Sequence, residues 1–259
     1  MLLGFRTIAF KRFPIESVLQ MISRLGYDGV ELCFENKELN PFALVSEEIE
    51  RIKGLLKDNS LRISALSLHT DFVENELEFK RVLRGMQITE KFGQKIFIIS
   101  PGYVRDLNKQ AQLKKLKEKL KILLDEAETL DVFLALEAEP GMTIESTEET
   151  LNLIEFFESD NLKVNLDIGH SWCIGEPIKS SIMALKDYIV HIHLEDIKDR
   201  MHKHIIPGEG DLNIEETLKT LKEISYSGFV TVDLFDLEFP EIAAERSIKY
   251  IKALINRLS

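Results

Sequence analysis

Four of the chain's six histidines fall between residues 191 and 204. The stretch Val190-His191-Ile192-His193-Leu194-Glu195-Asp196 alternates apolar and polar residues, so a strand there carries His191 and His193 on one face. His202 and His204 follow in a segment that runs into Pro207-Gly208-Glu209-Gly210. Carboxylates close other apolar runs: Glu137 after Val132-Phe133-Leu134-Ala135-Leu136, Asp167 after Val164-Asn165-Leu166, and Asp233 after Val230-Thr231-Val232. Carboxylates and imidazoles at the ends of separate strands are what a divalent-metal enzyme in a barrel mouth requires. A single strand-end carboxylate is more often a loop cap. Glu137, Asp167, His193 and Asp233, at equivalent ends of consecutive strands, form a more specific pattern. Three carboxylates and one imidazole suit Mn²⁺, Mg²⁺ or Co²⁺ better than a structural Zn²⁺ site, which favours thiolates.

The elements that must position these groups alternate regularly. Strands are predicted at Leu3–Ile8, Gly29–Phe34, Arg62–Leu68, Lys95–Ile99, Val132–Glu137, Lys163–Asp167, Ile189–Leu194 and Phe229–Leu234. Helices are predicted near 14–25, 46–59, 73–93, 108–130, 145–159, 176–187, 214–225 and 240–257. Pro14, Ser46, Asn108 and Pro240 stand at helix starts. Gly26, Gly93 and Gly228 separate a helix from the next strand, where left-handed backbone ends helices. Eight βα units with short connections predict an α/β fold, one (β/α)8 TIM barrel over residues 1–259. A doubly wound sheet would carry a Gly-rich phosphate turn after the first strand, where this chain reads Ala9-Phe10-Lys11-Arg12-Phe13.

Composition agrees with a barrel of 259 residues that can bury a core, since 44% of residues are hydrophobic. The net charge of −11 opposes a general nucleic-acid surface. The two cysteines, Cys33 and Cys173, form no CxxC pair, so a reducing compartment is expected. The N-terminal Met1-Leu2-Leu3-Gly4-Phe5-Arg6 does not read as a signal peptide, and no apolar run reaches the roughly 20 residues of a membrane span. A cytoplasmic protein with no membrane partner is the expectation. Glu74-Asn75-Glu76 and the Lys114–Lys121 cluster read as solvated helix faces.

Order and spacing of several motifs resemble the xylose isomerase-like barrel superfamily, which includes sugar isomerases and epimerases, inosose dehydratases and endonuclease IV nucleases. Gly26-Tyr27-Asp28-Gly29-Val30-Glu31-Leu32 resembles its entry into the second strand. Ser67-Leu68-His69 resembles the end of the third, and Ser100-Pro101-Gly102 that of the fourth. Leu134-Ala135-Leu136-Glu137 is similar to the fifth-strand metal glutamate. Asp167-Ile168-Gly169-His170 is similar to the sixth-strand aspartate with its substrate-contacting histidine. His191-Ile192-His193 with Asp196 resembles the seventh strand, and Pro207-Gly208-Glu209-Gly210-Asp211 the loop beyond it. The resemblance implies Glu137, Asp167, His193 and Asp233 as ligands of a divalent ion, Mn²⁺ first with Mg²⁺, Co²⁺ or Zn²⁺ as alternatives. It also implies a small sugar-like substrate and proton transfer beside a carbonyl through a metal-stabilised ene-diolate.

Two residues depart from the family pattern. Asp233 stands where the eighth strand normally ends in glutamate, an acid/base residue in the epimerases, so Asp233 ends the chain's second catalytic arm one methylene short. Ser100 stands where endonuclease IV has a zinc-binding histidine, which lowers a nuclease reading, while His202 and His204 occupy a loop that holds metal ligands in that nuclease. They are candidates for a second metal or for substrate. His69, Glu31 and Trp172 are each open between a substrate contact and a packing role. Arg200 and Lys203 are open between phosphate binding and plain exposure. His191, Glu139 and Asp196 are candidates to orient ligands from behind. The expected activity is isomerase or epimerase chemistry with Glu137 as base. The alternatives are an inosose-type dehydratase and a non-catalytic metabolite-binding protein on a retained barrel. The oligomeric state is open.

Overall fold

The computed structural model describes residues 1–104 and 108–258. Eight strands, β1 (Leu2–Arg6), β2 (Gly29–Cys33), β3 (Arg62–Leu68), β4 (Ile96–Ile99), β5 (Phe133–Leu136), β6 (Leu162–Asp167), β7 (Ile189–Leu194) and β8 (Phe229–Val232), pair in parallel and in sequence order. β1 pairs with β8 and closes the barrel. The helices are α1 (Ile15–Leu25), α2 (Ser46–Asp58), α3 (Glu76–Lys91), α4 (Lys109–Leu130), α5 (Thr147–Phe157), α6 (Ile168–Cys173), α7 (Ile178–Leu185), α8 (Ile214–Glu223) and α9 (Pro240–Leu258). All eight predicted strands are present. The first stops at Arg6, because Thr7–Phe10 tighten into a 3₁₀ turn. The short helix α6, directly after β6, was not predicted, since six residues are too few to show a period.

Strand alternation sorts the side chains into two compartments. Leu3 and Phe5, Val30 and Leu32, Leu66 and Leu68, Phe97 and Ile99, Leu134 and Leu136, Val164 and Leu166, Ile192 and Leu194, and Val230 and Val232 all join the large core shared with the helices. The alternate residues face the barrel interior. Ala65, Ile98 and Ala135 make a small separate cluster there. Above them Thr231 donates to His191 Nε2 at 2.9 Å, and His191 Nδ1 donates to Asn165 Oδ1 at 2.8 Å. Arg6, Glu31, His69, Ser100, Glu137, Asp167, His193 and Asp233 stand toward the C-terminal ends of the inward series, so the barrel mouth is where the charged residues converge.

Helix ends follow ordinary capping chemistry. α1 buries Ile15, Val18, Leu19 and Ile22, a helical stripe, and ends at Gly26 with φ of 87°. Asn108, Asn75, Ser146 and Asn213 accept hydrogen bonds from the first turns of α4, α3, α5 and α8. Ser46 does not cap: it is the first residue of α2, and Val45 precedes it. Gly93 is left-handed as expected, but Gly228 is not, and the positive φ before β8 belongs to Ser225 at 58°. Gly228 answers a packing need instead, because a Cβ there would meet Tyr226 Oη at 2.5 Å.

Barrel closure also demands a glycine at position 29. A Cβ there would lie 2.5 Å from the Arg62 carbonyl oxygen and 2.8 Å from the Phe229 ring. Gly54, in the middle of α2, faces open space. Gly29→Ala is expected to destabilise the fold by about 1–3 kcal/mol through overpacking. Gly54→Ala should stabilise it by about 0.5–1 kcal/mol through helix propensity. Denaturant unfolding of the two variants checks both signs.

Candidate functional site

Glu137, Asp167, His193 and Asp233 meet at the mouth. One ligand atom from each lies within 4.8 Å of the others, and all four residues are buried. His193 Nδ1 is 3.1 Å from Glu137 Oε2, 3.7 Å from Asp233 Oδ2 and 3.9 Å from Asp167 Oδ2. Its other nitrogen, Nε2, donates to Glu31 Oε2 at 2.6 Å. Burial opposes a charge on His193, yet Glu31 and Glu137 hold its pKa well above the ordinary value. The ring therefore sits where positive charge is favoured.

Asp167 divides its two oxygens. Oδ1 accepts from the His170 amide at 2.8 Å and caps α6, while Oδ2 receives no hydrogen bond from an N–H or hydroxyl donor. Asp233 Oδ2 takes the guanidinium of Arg6 at 2.6 Å, and its Oδ1 is likewise unpartnered. Unsatisfied buried carboxylate oxygens beside an imidazole are a donor set that a divalent cation fits. Glu137 Oε2 accepts from Asn165 Nδ2 at 2.5 Å and from His69 Nε2 at 3.1 Å. Against opposing burial, Glu137 pushes the His69 imidazole up to about 10. The same pairing, with His193, holds the Glu137 carboxyl well below its usual range despite its burial.

Other expected residues find other places. Glu31 is fully buried, with Oε1 at 2.8 Å from Arg6 Nε and Oε2 on His193. It lies behind the imidazole. His191 is fully buried, and burial lowers its pKa to about 3, so it is a neutral link to Asn165. Asp196 is directed at the loop that follows it. Its carboxylate accepts from the amides of Ile197, Gly208, Gly210 and Leu212, and so ties down the Pro207–Asp211 loop. Backbone pairing of Asp196 with Ile205 folds that loop back over β7 and buries His204. Glu139 is only partly buried, and burial raises its pKa.

His170 donates from Nδ1 to the Ala138 carbonyl at 3.0 Å, which turns Nε2 to within 2.9 Å of His202 Nε2. Burial opposes its charge, but Asp167 and Glu137 raise its pKa. His202 is exposed as a whole residue but part-buried where its ring meets His170, and this partial desolvation, then the charge of His170, lowers its pKa to about 4. Arg200 is exposed and lies 5.0 Å over the Trp172 ring, so these two form one stacked patch on the rim.

Arg6 and Glu195 were not anticipated. Arg6 ends β1 and ties Glu31 to Asp233. Glu195 continues the inward alternation of His191 and His193 by one step. Burial, and then the charge of Asp167, raises its pKa well above the carboxylate range.

Comparison with known proteins places this geometry. The chain is 24% identical to fructoselysine 3-epimerase of Escherichia coli O157:H7 over 270 residues, covering 97% of this chain and 98% of the relative. It is 26% identical to inosose isomerase of Halalkalibacterium halodurans over 248 residues, covering 90% and 87%. Among solved structures, the probable 3-DHS dehydratase AsbF from Bacillus anthracis superposes with a TM-score of 0.85 at 19% identity, covering 97% of this chain and 99% of that one. The 3-keto-D-glucoside 4-epimerase YcjR from E. coli superposes at 0.81 and 18% identity, covering 98% and 99%. These two likenesses show the shared barrel. The family model for the xylose isomerase-like TIM barrel matches residues 19–254, and the chain belongs to that family.

Proposed function

We propose that the chain is a divalent-cation-dependent isomerase or epimerase of a small sugar or related polyhydroxy carbonyl compound. The observation that carries this is the convergence of Glu137, Asp167, His193 and Asp233 from four consecutive strand ends, with ligand atoms within 4.8 Å of one another. Relatives named as a fructoselysine 3-epimerase and an inosose isomerase, each aligned over most of its length, support it. These four residues would hold the cation, with Mn²⁺ the first choice, and when bound it supplies Lewis-acid stabilisation to the oxygens of the carbonyl compound.

The chain's own groups divide the remaining work. Glu137 is the general base, removing a proton from the carbon beside the carbonyl. Its Oε2 is occupied by Asn165 and His69, which leaves Oε1 as the receiving atom. His170, fixed through Nδ1, would offer Nε2 to a substrate hydroxyl that takes the place of His202 beside it. Trp172 and Arg200 form a stacking wall at the rim. His69 is a second substrate contact, partly exposed beside Glu137. Asp233 holds the cation and is also drawn to Arg6, so its carboxylate is anchored away from a substrate carbon. A base must come within hydrogen-bond reach of the proton it takes. One-sided chemistry, an aldose–ketose shift, follows from that arrangement more readily than a two-base epimerisation. The same anchoring favours one second reading: dehydration of an inosose-like substrate from the same proton abstraction.

Three outcomes test this reading. Metal titration followed by elemental analysis should show that His193→Ala loses tight binding, while Glu31→Gln, which removes the charge behind His193, weakens it by roughly 10–100-fold. Unchanged affinity in His193→Ala refutes the ligand set. Glu137→Gln should lose about 10²–10⁴-fold in turnover on a substrate found by screening sugars. Deuterium from solvent should enter the carbon next to the carbonyl in the parent protein, and full activity of Glu137→Gln would falsify the base assignment. Asp233→Glu should keep the metal and gain or raise epimerisation at the second face, which chiral product analysis reads.

A further inference from the structure

The lysine cluster on α4 divides by partner. Lys115 pairs with Glu74 at 2.8 Å, Lys119 with Glu76 at 2.6 Å and Lys109 with Glu145 at 2.9 Å. Lys114, Lys117 and Lys121 have no carboxylate within ion-pair distance among the described residues. Their spacing of three and four residues sets them in one row along the helix. α5 carries a second row at the same kind of spacing, Glu148, Asn152 and Glu155. All three are exposed, and neither glutamate has an ion-pair partner among the described residues.

The two rows flank an open groove. α4 and α5 pack on each other far less than α3 packs on α4, and a groove of about 430 Å³ lies between them. Leu113 and Phe157 line it, and it continues past Lys117 toward Ile144 and Leu153. Phe156 stands at its edge and is 58% exposed. Its ring meets Phe157 edge-on at 5.0 Å, and Lys117 Nζ lies 3.5 Å from its centroid. Phe156 is in the last turn of α5, which runs back from the mouth end of β5, so this face is on the flank of the barrel and apart from the mouth. A single exposed aromatic needs no explanation. An exposed aromatic beside an apolar groove, between an unpaired basic row and an unpaired acidic row, makes a surface complementary to itself.

We propose that the α4–α5 face docks a second copy of this chain in a two-fold dimer. A two-fold axis running along the groove lays α4 of each copy over α5 of the other. The lysine row of each copy then faces the glutamate row of the other, and each Phe156 enters the opposite groove. Every contact is made twice, as an isologous interface requires. An aromatic anchor within a charged rim is the ordinary anatomy of such a surface. Charge favours this occupant over an acidic peptide, which would satisfy the lysines but set like charge against Glu148 and Glu155. The inference is independent of the cation and of the chemistry at the mouth.

Sedimentation equilibrium of the full chain over a range of concentrations should show a monomer–dimer equilibrium. Phe156→Ser should weaken it by about 30-fold or more, the effect of losing an aromatic anchor. Lys114→Glu combined with Lys121→Glu should weaken it as well. Adding Glu148→Lys and Glu155→Lys to that lysine variant should restore the dimer, because the exchanged rows pair again. All five positions are exposed, and circular dichroism checks that each variant is folded. Phe156→Ser and the lysine variant are both used so that one that misfolds leaves the other to decide. A parent that is monomeric at every concentration overturns the proposal and leaves the groove to a different partner. A dimer that keeps its affinity in both variants overturns the assignment of this face. Open-ended growth in place of a dimer overturns the two-fold arrangement. Failure of the combined charge exchange to restore the dimer overturns the facing of the two rows.

Discussion

The hydrogen bond from His193 Nε2 to Glu31 Oε2 decides which way the barrel mouth works. With Nε2 committed, Nδ1 is the atom presented to Glu137, Asp167 and Asp233. Glu31 is held in turn by Arg6 Nε, and Arg6 Nη1 reaches across to Asp233. The imidazole, the carboxylate behind it, the guanidinium and the β8 carboxylate therefore make one connected ring. A group that tunes a histidine from behind is usual at metal sites. Here it comes from β2, while the histidine comes from β7, so the orientation depends on the barrel being closed.

That dependence explains how a small interior tolerates so many carboxylates. Outward-facing residues of each strand supply the apolar area that holds the helices, and the inward series carries little of it. Stability and chemistry are written on alternate residues of the same strands. Removing one partner of the ring would strand a buried charge, which is more damaging than replacing the whole ring. The polar floor of His191, Asn165 and Thr231 serves the same division. It is neutral and hydrogen-bonded, and it holds the Asn165 amide against Glu137 without adding charge.

Much of this was legible from residue order. Short β-like runs between helical stretches marked all eight strands, and the rule that side chains at strand ends point into the mouth picked Glu137, Asp167, His193 and Asp233 together. The same rule, applied to acids and histidines alone, passed over Arg6, which ends β1 in the same position. Glu195 was passed over because it lies one residue beyond Leu194, outside the predicted strand, although it keeps the parity of His191 and His193. Glu31 was found, but whether a buried carboxylate turns toward substrate or toward an imidazole depends on a partner 162 residues away. Asp196 misled for a related reason. Its place three residues after His193 suggested an orienting role, whereas the turn glycines that follow expose amides that capture it.

On the proposed reading, Asp233 would redirect the chemistry by one methylene without altering the ligand set. Asp233 keeps a carboxylate oxygen within 4.8 Å of the ligand atoms of Glu137, Asp167 and His193, and its Oδ2 is held by Arg6. Glu137 keeps the longer arm and, on the reading above, retains a free oxygen at the mouth. Two carboxylates facing each other across one site are thus made unequal by length and by partner. Unequal environments are what separate a base from a spectator. Arg6 on β1 and Asp233 on β8 lie at the seam where the barrel closes. On the proposed reading, an ion pair across the seam where the sheet closes would also set which face of the substrate can lose its proton.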